Sequence, residues 1–138
     1  MEHKSIAEKV TDYIEKNLGS DLKLDQVAEH AGYSKYYLNR CFQKEVGCTI
    51  YKYIQMRRMT EAARKLAESD QPIIEVALEA NYQSQQAFTD AFKEVYRRSP
   101  KAYRRNRVFI PLMPRYRSRA GAVTAGLSCL SMERRLAA

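Results

Sequence analysis

The chain contains one structural device twice. Val27-Ala28-Glu29-His30-Ala31-Gly32-Tyr33 is echoed by Val76-Ala77-Leu78-Glu79-Ala80-Asn81-Tyr82. A serine follows each copy, Ser34 and Ser84, and then a segment with helical apolar spacing. With one residue inserted in the second turn, Leu38 pairs with Phe88, Phe42 with Phe92 and Tyr53 with Tyr103. A short helix, a tight turn and a second helix, repeated in one small basic chain, point to attachment at two places on one DNA duplex.

The local signals support this register. Gly32 ends the first short helix, and a helix-turn-helix turn needs one residue at positive φ, which glycine accepts without steric cost. Asn81 holds the matching place, and asparagine is the next most tolerant residue there. The sequence pattern predicts a first helix from about residue 5 to 18, on Ile6, Val10, Tyr13, Ile14 and Leu18, ended by Gly19. A second begins near Asp25 and a third at the capping Ser34, closed by Gly47. Thr49 caps a long helix over about 50–68, roughly 28 Å at about 1.5 Å per residue. Ser69-Asp70-Gln71-Pro72 breaks it, and helices over about 73–80, 84–96 and 100–106 follow.

The expected fold is therefore all-α. A helix-turn-helix subdomain spans 5–48, a linker helix 49–69 and a second helix-turn-helix subdomain 70–106. Beyond it, 107–138 reads as a basic, disordered tail, because Pro111, Pro114, Gly121, Gly126 and the 115–119 Arg-Tyr-Arg-Ser-Arg run disfavour a packed element. Tyr33, Tyr82, Tyr53 and Tyr103 are expected in the core, with Cys41 filling core space and Cys48 in a turn.

Charge supports a polyanionic partner. The formal net charge is +8 and the pI about 9.5. It is uneven: residues 1–106 hold 18 Lys/Arg against 15 Asp/Glu, whereas 107–138 hold six arginines against Glu133. The subdomains are not uniformly basic, so their affinity must depend on where charges point.

Removing the core positions from the third helix leaves a polar stripe of Tyr36, Asn39, Arg40 and Gln43, spaced to share one helical face. The sixth helix leaves Gln86, Thr89, Asp90 and Lys93 at the same spacing, with Gln85 at the leading edge. Asn and Gln can bond adenine on two atoms, Arg can fork onto guanine, and Thr can offer a methyl to thymine. The base-reading candidates are Tyr36, Asn39, Arg40, Gln43, Gln85, Gln86, Thr89 and Asp90. The phosphate-contact candidates are Ser34, Lys35, Arg57, Arg58, Ser84, Lys93, Arg104 and Arg105.

Other classes of function find little support. His3 and His30 stand apart, and the sequence has no HExxH, Gly-rich phosphate loop or GxSxG motif. An enzyme, a metal site and a cofactor are not expected. Three cysteines without CxxC spacing fit a reducing cytoplasm. The sequence carries neither a signal-peptide pattern nor an apolar stretch of membrane-spanning length. A non-specific nucleic-acid-binding architectural protein, driven by the basic tail, is the alternative.

The chain resembles the AraC/XylS family of transcriptional activators, and within it the short MarA, SoxS and Rob group. The resemblance covers about residues 5–106. It rests on Ala31-Gly32-Tyr33-Ser34-Lys35, Tyr53-Ile54, Arg57-Arg58-Met59-Thr60, Ser84-Gln85-Gln86, Phe88-Thr89, Phe92-Lys93, Pro100 and Tyr103-Arg104. It implies a cytoplasmic, nucleoid-associated bacterial monomer that binds double-stranded promoter DNA and contacts RNA polymerase. Control by amount instead of by a small-molecule ligand is also implied, as are stress or antibiotic-resistance targets. Tyr36 stands where that group usually has Trp, Asn39 where it has Gln, and Asp90 where it has Arg. The last inverts the charge facing DNA.

Overall fold

The computed structural model describes residues 4–117, and every regular element among them is helical. Helix α1 (Ile6–Lys16) opens on a reciprocal cap. Ser5 Oγ accepts from the Glu8 amide at 3.1 Å, and the Glu8 carboxylate accepts from the Ser5 amide at 3.0 Å. Helix α2 (Leu24–Ala31) ends at Gly32, whose φ is +80°. Helix α3 (Lys35–Val46) starts where Ser34 Oγ accepts from the Tyr37 amide and stops at Gly47, φ +100°. Thr49 caps the long α4 (Ile50–Glu68).

The second half repeats the sequence of devices. Pro72 precedes α5 (Ile73–Glu79), and Asn81 makes the turn at φ +68°. Ser84 caps α6 (Gln85–Tyr96), which ends on Arg97 at φ +63°, the counterpart of Gly47. Ser99 caps α7 (Pro100–Asn106), with Pro100 in its first turn where a missing amide proton is harmless. Positive φ at both Gly32 and Asn81 bears out the repeat register.

Two apolar clusters form on opposite ends of α4. Val10, Ile14, Leu38, Phe42, Val46, Ile50 and Tyr53 fill the first. Leu66, Val76, Ala77, Phe88, Phe92 and Tyr103 fill the second. Phe42 meets Tyr53 edge-on with centroids 5.4 Å apart, and Phe92 meets Tyr103 the same way at 5.4 Å. The matched residues of the repeat therefore make the matched contact, adding about 0.5–1.5 kcal/mol each beyond burial.

The boundary of the expected tail needs correction. Residues 107–117 form no helix, yet they lie across the molecule as a strap, with Met113 and Tyr116 fully buried in the first cluster. Phe109 packs on the second cluster and Leu112 on both. The remainder of that tail, 118–138, lies outside the described residues. Two smaller expectations also change. Tyr33 is 39% exposed and leans on Tyr37, because Leu38 and Phe42 already occupy the inner face. Cys41 is only half-buried, and of the two described cysteines it is Cys48, in its expected turn between α3 and α4, that is buried.

Candidate nucleic-acid interface

Helices α3 and α6 each follow a tight turn whose geometry is set by one left-handed residue. Each begins with a serine cap that fixes its first turn: Ser34 accepts from the Tyr37 amide at 3.2 Å and Ser84 from the Ala87 amide at 3.1 Å. Ser34 and Ser84 are themselves exposed. The frame thus holds two helix starts outward, with their backbone amides directed toward an incoming anion.

On α3, Tyr36, Arg40 and Gln43 are exposed. Tyr36 is 73% exposed, and the Arg40 guanidinium lies 5.6 Å from the centre of its ring. That cation–π contact draws the one cation of the stripe over the one aromatic, restricting where the guanidinium can reach. Tyr37 is also on the surface, and its neighbour Cys41 raises the pKa of its hydroxyl through a hydrogen bond and charge interaction.

Asn39 is different. It is half-buried, and its Oδ1 accepts the Ile50 amide at 3.1 Å, tying α3 to the first turn of α4. Its carbonyl is thereby withdrawn from the two-atom adenine pattern expected of it. The second unit explains why. Thr89 and Pro100 occupy the equivalent positions, and Pro100 has no amide proton to satisfy. Thr89 makes no equivalent link to the next helix.

On α6, Gln85, Gln86, Asp90 and Lys93 are exposed and Thr89 is half-buried. Gln86 Nε2 donates to Asp90 Oδ1 at 2.9 Å, one turn along the same face. The sequence suggests a pairing of Asp90 with Lys93 instead; the i, i+4 amide reaches the carboxylate in the structure. The second stripe is internally bonded, so its amide and carboxylate present themselves together.

The phosphate candidates divide sharply. Lys35, Lys93 and Arg105 are exposed, with Lys35 paired to Asp25 at 2.9 Å. Arg57 is a correction. It is 4% exposed, and its guanidinium donates to both carboxylate oxygens of Glu15 at 2.7 and 2.9 Å, to Glu61 at 2.9 Å and to the Met113 carbonyl at 2.8 Å. Burial opposes its charge, but Glu15 outweighs it and holds the proton more firmly than usual. A guanidinium with its donors so engaged does not reach a phosphate.

Arg58 and Arg104 are half-buried. Arg58 donates to the carbonyls of Leu18 and Ser20, pinning the end of α1, and burial lowers its pKa. Arg104 donates through Nε to the Leu66 carbonyl at 3.0 Å. Both carry structural bonds that basic character alone does not reveal. Conversely, Arg98 and Lys101 stand exposed at the junction of α6 and α7, on either side of the Ser99 cap, and helical spacing alone does not single them out.

Among the described residues, no group of three or more His, Cys, Asp and Glu is placed to hold a metal. No helix among them is long and apolar enough to cross a membrane. His30 stacks on Tyr13 of α1 at 4.3 Å.

Comparison with known proteins agrees with this frame. A helix-turn-helix domain family matches residues 27–106, from α2 to the end of α7. The TetD protein of transposon Tn10 from Escherichia coli is 42% identical over 107 residues, 78% of each chain. The multiple antibiotic resistance protein MarA of Escherichia coli K12 is 45% identical over 95 residues, 69% of this chain and 75% of that one. The transcriptional activator AarP of Providencia stuartii is 41% identical over 100 residues, 72% and 74% of the two chains. Among solved structures, the C-terminal domain of AraT, a response regulator from Geobacillus stearothermophilus, superposes with a TM-score of 0.70 at 33% identity. That match covers 83% of this chain and 96% of AraT's domain. The DNA-binding domain of AdpA, solved with a target DNA, shares the fold at a TM-score of 0.69 and 24% identity, over 75% and 93%.

Proposed function

This chain belongs to the AraC-type helix-turn-helix family of DNA-binding transcriptional regulators, and from that premise we propose that it activates transcription as a monomer on an asymmetric promoter site. In this reading α3 and α6 enter successive major-groove segments on one side of the duplex. Such segments lie about 34 Å apart, a distance that an α4 of roughly 28 Å plus the flanking units can reach. Two unlike stripes require two unlike half-sites, so no palindrome is needed.

The observation that carries the proposal is the matched presentation of α3 and α6: equivalent turns, equivalent serine caps, and polar stripes left exposed beside equivalent buried aromatics. Tyr36, Arg40 and Gln43 read bases in the first unit, and Gln85, Gln86 and Thr89 in the second. Asn39 contributes at most its amide nitrogen, and Asp90 acts through Gln86. Ser34, Lys35, Ser84, Lys93 and Arg105 contact phosphates, with Arg98 and Lys101 added to them.

Contact with bacterial RNA polymerase, action at the nucleoid in the cytoplasm, and a regulon concerned with stress or antibiotic resistance complete the proposal. The antibiotic-resistance regulon and the activating role are supported by the names of MarA, a multiple antibiotic resistance protein, and AarP, a transcriptional activator. Selection of bound sites from random duplex DNA, followed by footprinting and transcription with purified RNA polymerase, tests the two-groove reading and the activating contact with polymerase. A two-segment asymmetric footprint with increased transcript is expected. Uniform binding to all sequences at moderate salt would instead favour a non-specific architectural role.

A further inference from the structure

The two helix-turn-helix units meet directly through side contacts outside the main helix packings: Val95 of α6 lies against both clusters, and Gly19 faces the Glu79 carbonyl. Every substantial helix–helix packing is either within one unit or against α4. A single connecting helix sets a distance well, but it leaves each unit able to rock about it unless a second member braces the pair.

Residues 107–117 are that second member. At the second unit, Tyr96 Oη donates to the Ile110 carbonyl and the Ile110 amide donates to Tyr103 Oη, both at 2.8 Å. In the middle, the Met113 amide donates to Thr60 Oγ1 at 3.0 Å while Arg57 donates to the Met113 carbonyl at 2.8 Å. Both polar groups of one strap residue are thus held by α4. At the first unit, the Tyr116 amide donates to Tyr53 Oη at 2.9 Å, Tyr116 Oη donates to Glu45, and Arg115 bonds Asp12. Glu45 belongs to α3 itself, and the same carboxylate oxygen accepts from Ser5 Oγ at 2.9 Å. The strap therefore runs from Tyr96 at the end of α6 and Tyr103 of α7 to a side chain of the first recognition helix.

We propose that this strap sets the relative rotation and separation of α3 and α6, and so determines which half-site spacing the protein accepts. Met113, Tyr116, Thr60 and Arg57 are positioning residues for DNA recognition, although none of them faces DNA. The inference rests on the two-groove reading given above. Its physical basis is the helical repeat of DNA: one added base pair moves the second half-site by roughly 3.4 Å and turns it by roughly 35°. A braced pair of units cannot follow that displacement, whereas units joined by α4 alone can follow part of it.

The test uses duplexes that carry the preferred segments of both units at the selected spacing, or with one or two base pairs added or removed. A further duplex carries the first-unit segment alone. The parent protein should lose about tenfold or more in affinity per base pair of altered spacing, as for a mismatched position. At temperatures where it stays folded, Met113→Ala/Tyr116→Ala should cut that loss to about threefold or less, with binding to the first-unit segment held within about twofold. Thr60→Val/Tyr116→Phe removes two hydrogen bonds while keeping side-chain bulk, and should flatten the spacing profile in the same direction if the alanine pair melts too low to assay. A spacing profile unchanged in the folded variants would overturn the proposal and leave α4, with the direct contacts of Val95 and Gly19, as the ruler. A parent footprint confined to one groove segment would instead sink the two-groove reading, and the strap proposal with it.

Discussion

The two helix-turn-helix units share a frame and differ in what they do with it. Both turn on a left-handed residue, both cap their second helix with serine, and both bury a tyrosine edge-on against a phenylalanine. Yet the first presents a cation beside an exposed aromatic, while the second presents an amide bonded to a carboxylate. The same contrast appears underneath. Arg57 and Arg107 are equivalent by position. Arg57 is buried among Glu15, Glu61 and the strap, whereas Arg107 is exposed and bonds Asp70 and Ser69. The duplicated frame fixes where the backbone goes. Neighbours outside the repeat decide what each side chain can do.

The strap offers the largest effect. Ending the chain after Val108 removes Met113 and Tyr116 from the first cluster, where one buried aromatic alone is worth about 3–5 kcal/mol. The first unit should lose its cooperative melting by circular dichroism. Ending the chain after Arg117 leaves both clusters whole and should preserve the parent's transition, while weakening specific and non-specific binding by similar factors. Equal melting of the two truncations would show that the strap is dispensable.

The equivalent arginines come next. Arg57→Ala leaves Glu15 and the Met113 carbonyl without their partner and should cost about 3–5 kcal/mol. Arg107→Ala removes an exposed, solvent-screened pair and should leave stability close to the parent's. Denaturant unfolding of both variants measures the difference, and similar values would mean that the tertiary setting of Arg57 has been misjudged.

On the reading faces, Arg40→Ala should remove about 1–3 kcal/mol of discrimination at one or two adjacent base pairs, with little change in salt slope. A uniform loss with a shallower slope would make Arg40 a phosphate contact. Asp90→Ala should bind at least as well as the parent, since it removes a negative charge near the duplex and frees Gln86. Asp90→Arg should tighten binding broadly and steepen the salt dependence by about one phosphate. Loss of affinity in Asp90→Ala at a position where the parent demands cytosine would make Asp90 a base reader.

The pair Asn39 and Thr89 should separate stability from readout. Asn39→Ala leaves the Ile50 amide unpaired and should destabilise by about 1 kcal/mol. Thr89→Ala should leave melting unchanged and alter base preference only.

Alkaline pH is the perturbation to which the units should respond alike. Burial pushes Tyr53 from 10.0 up to about 12 and raises Tyr96, Tyr103 and Tyr116 as well. A phenol whose folded pKa is raised is held neutral. Its stabilisation is whole below the unfolded value near 10 and fades as pH climbs through the folded value. Melting temperature should fall from about pH 10 upward, and less steeply in Tyr116→Phe. A flat profile to pH 12 would remove the buried phenols from the account.

Much of this molecule was legible in the sequence. The helices, their serine and threonine caps, the long connector and both left-handed turns follow from local rules acting on a few residues, and the duplication checks each one against the other. The polar stripes follow from helical spacing in the same way, which is why Tyr36, Arg40, Gln43, Gln85 and Gln86 emerge on the surface as expected. Tertiary structure alone decided the rest. Leu112, Met113 and Tyr116 have no periodicity, because each is satisfied by a different partner on a distant helix. Arg57 and Arg58 are adjacent and chemically alike, yet one helical step rotates the first into the core and the second toward the end of α1. Asn39 became a brace for α4 because Ile50 has an amide proton that Pro100 lacks. Spacing along the chain specifies a face. It does not specify which donor or acceptor from a remote segment will meet a side chain there.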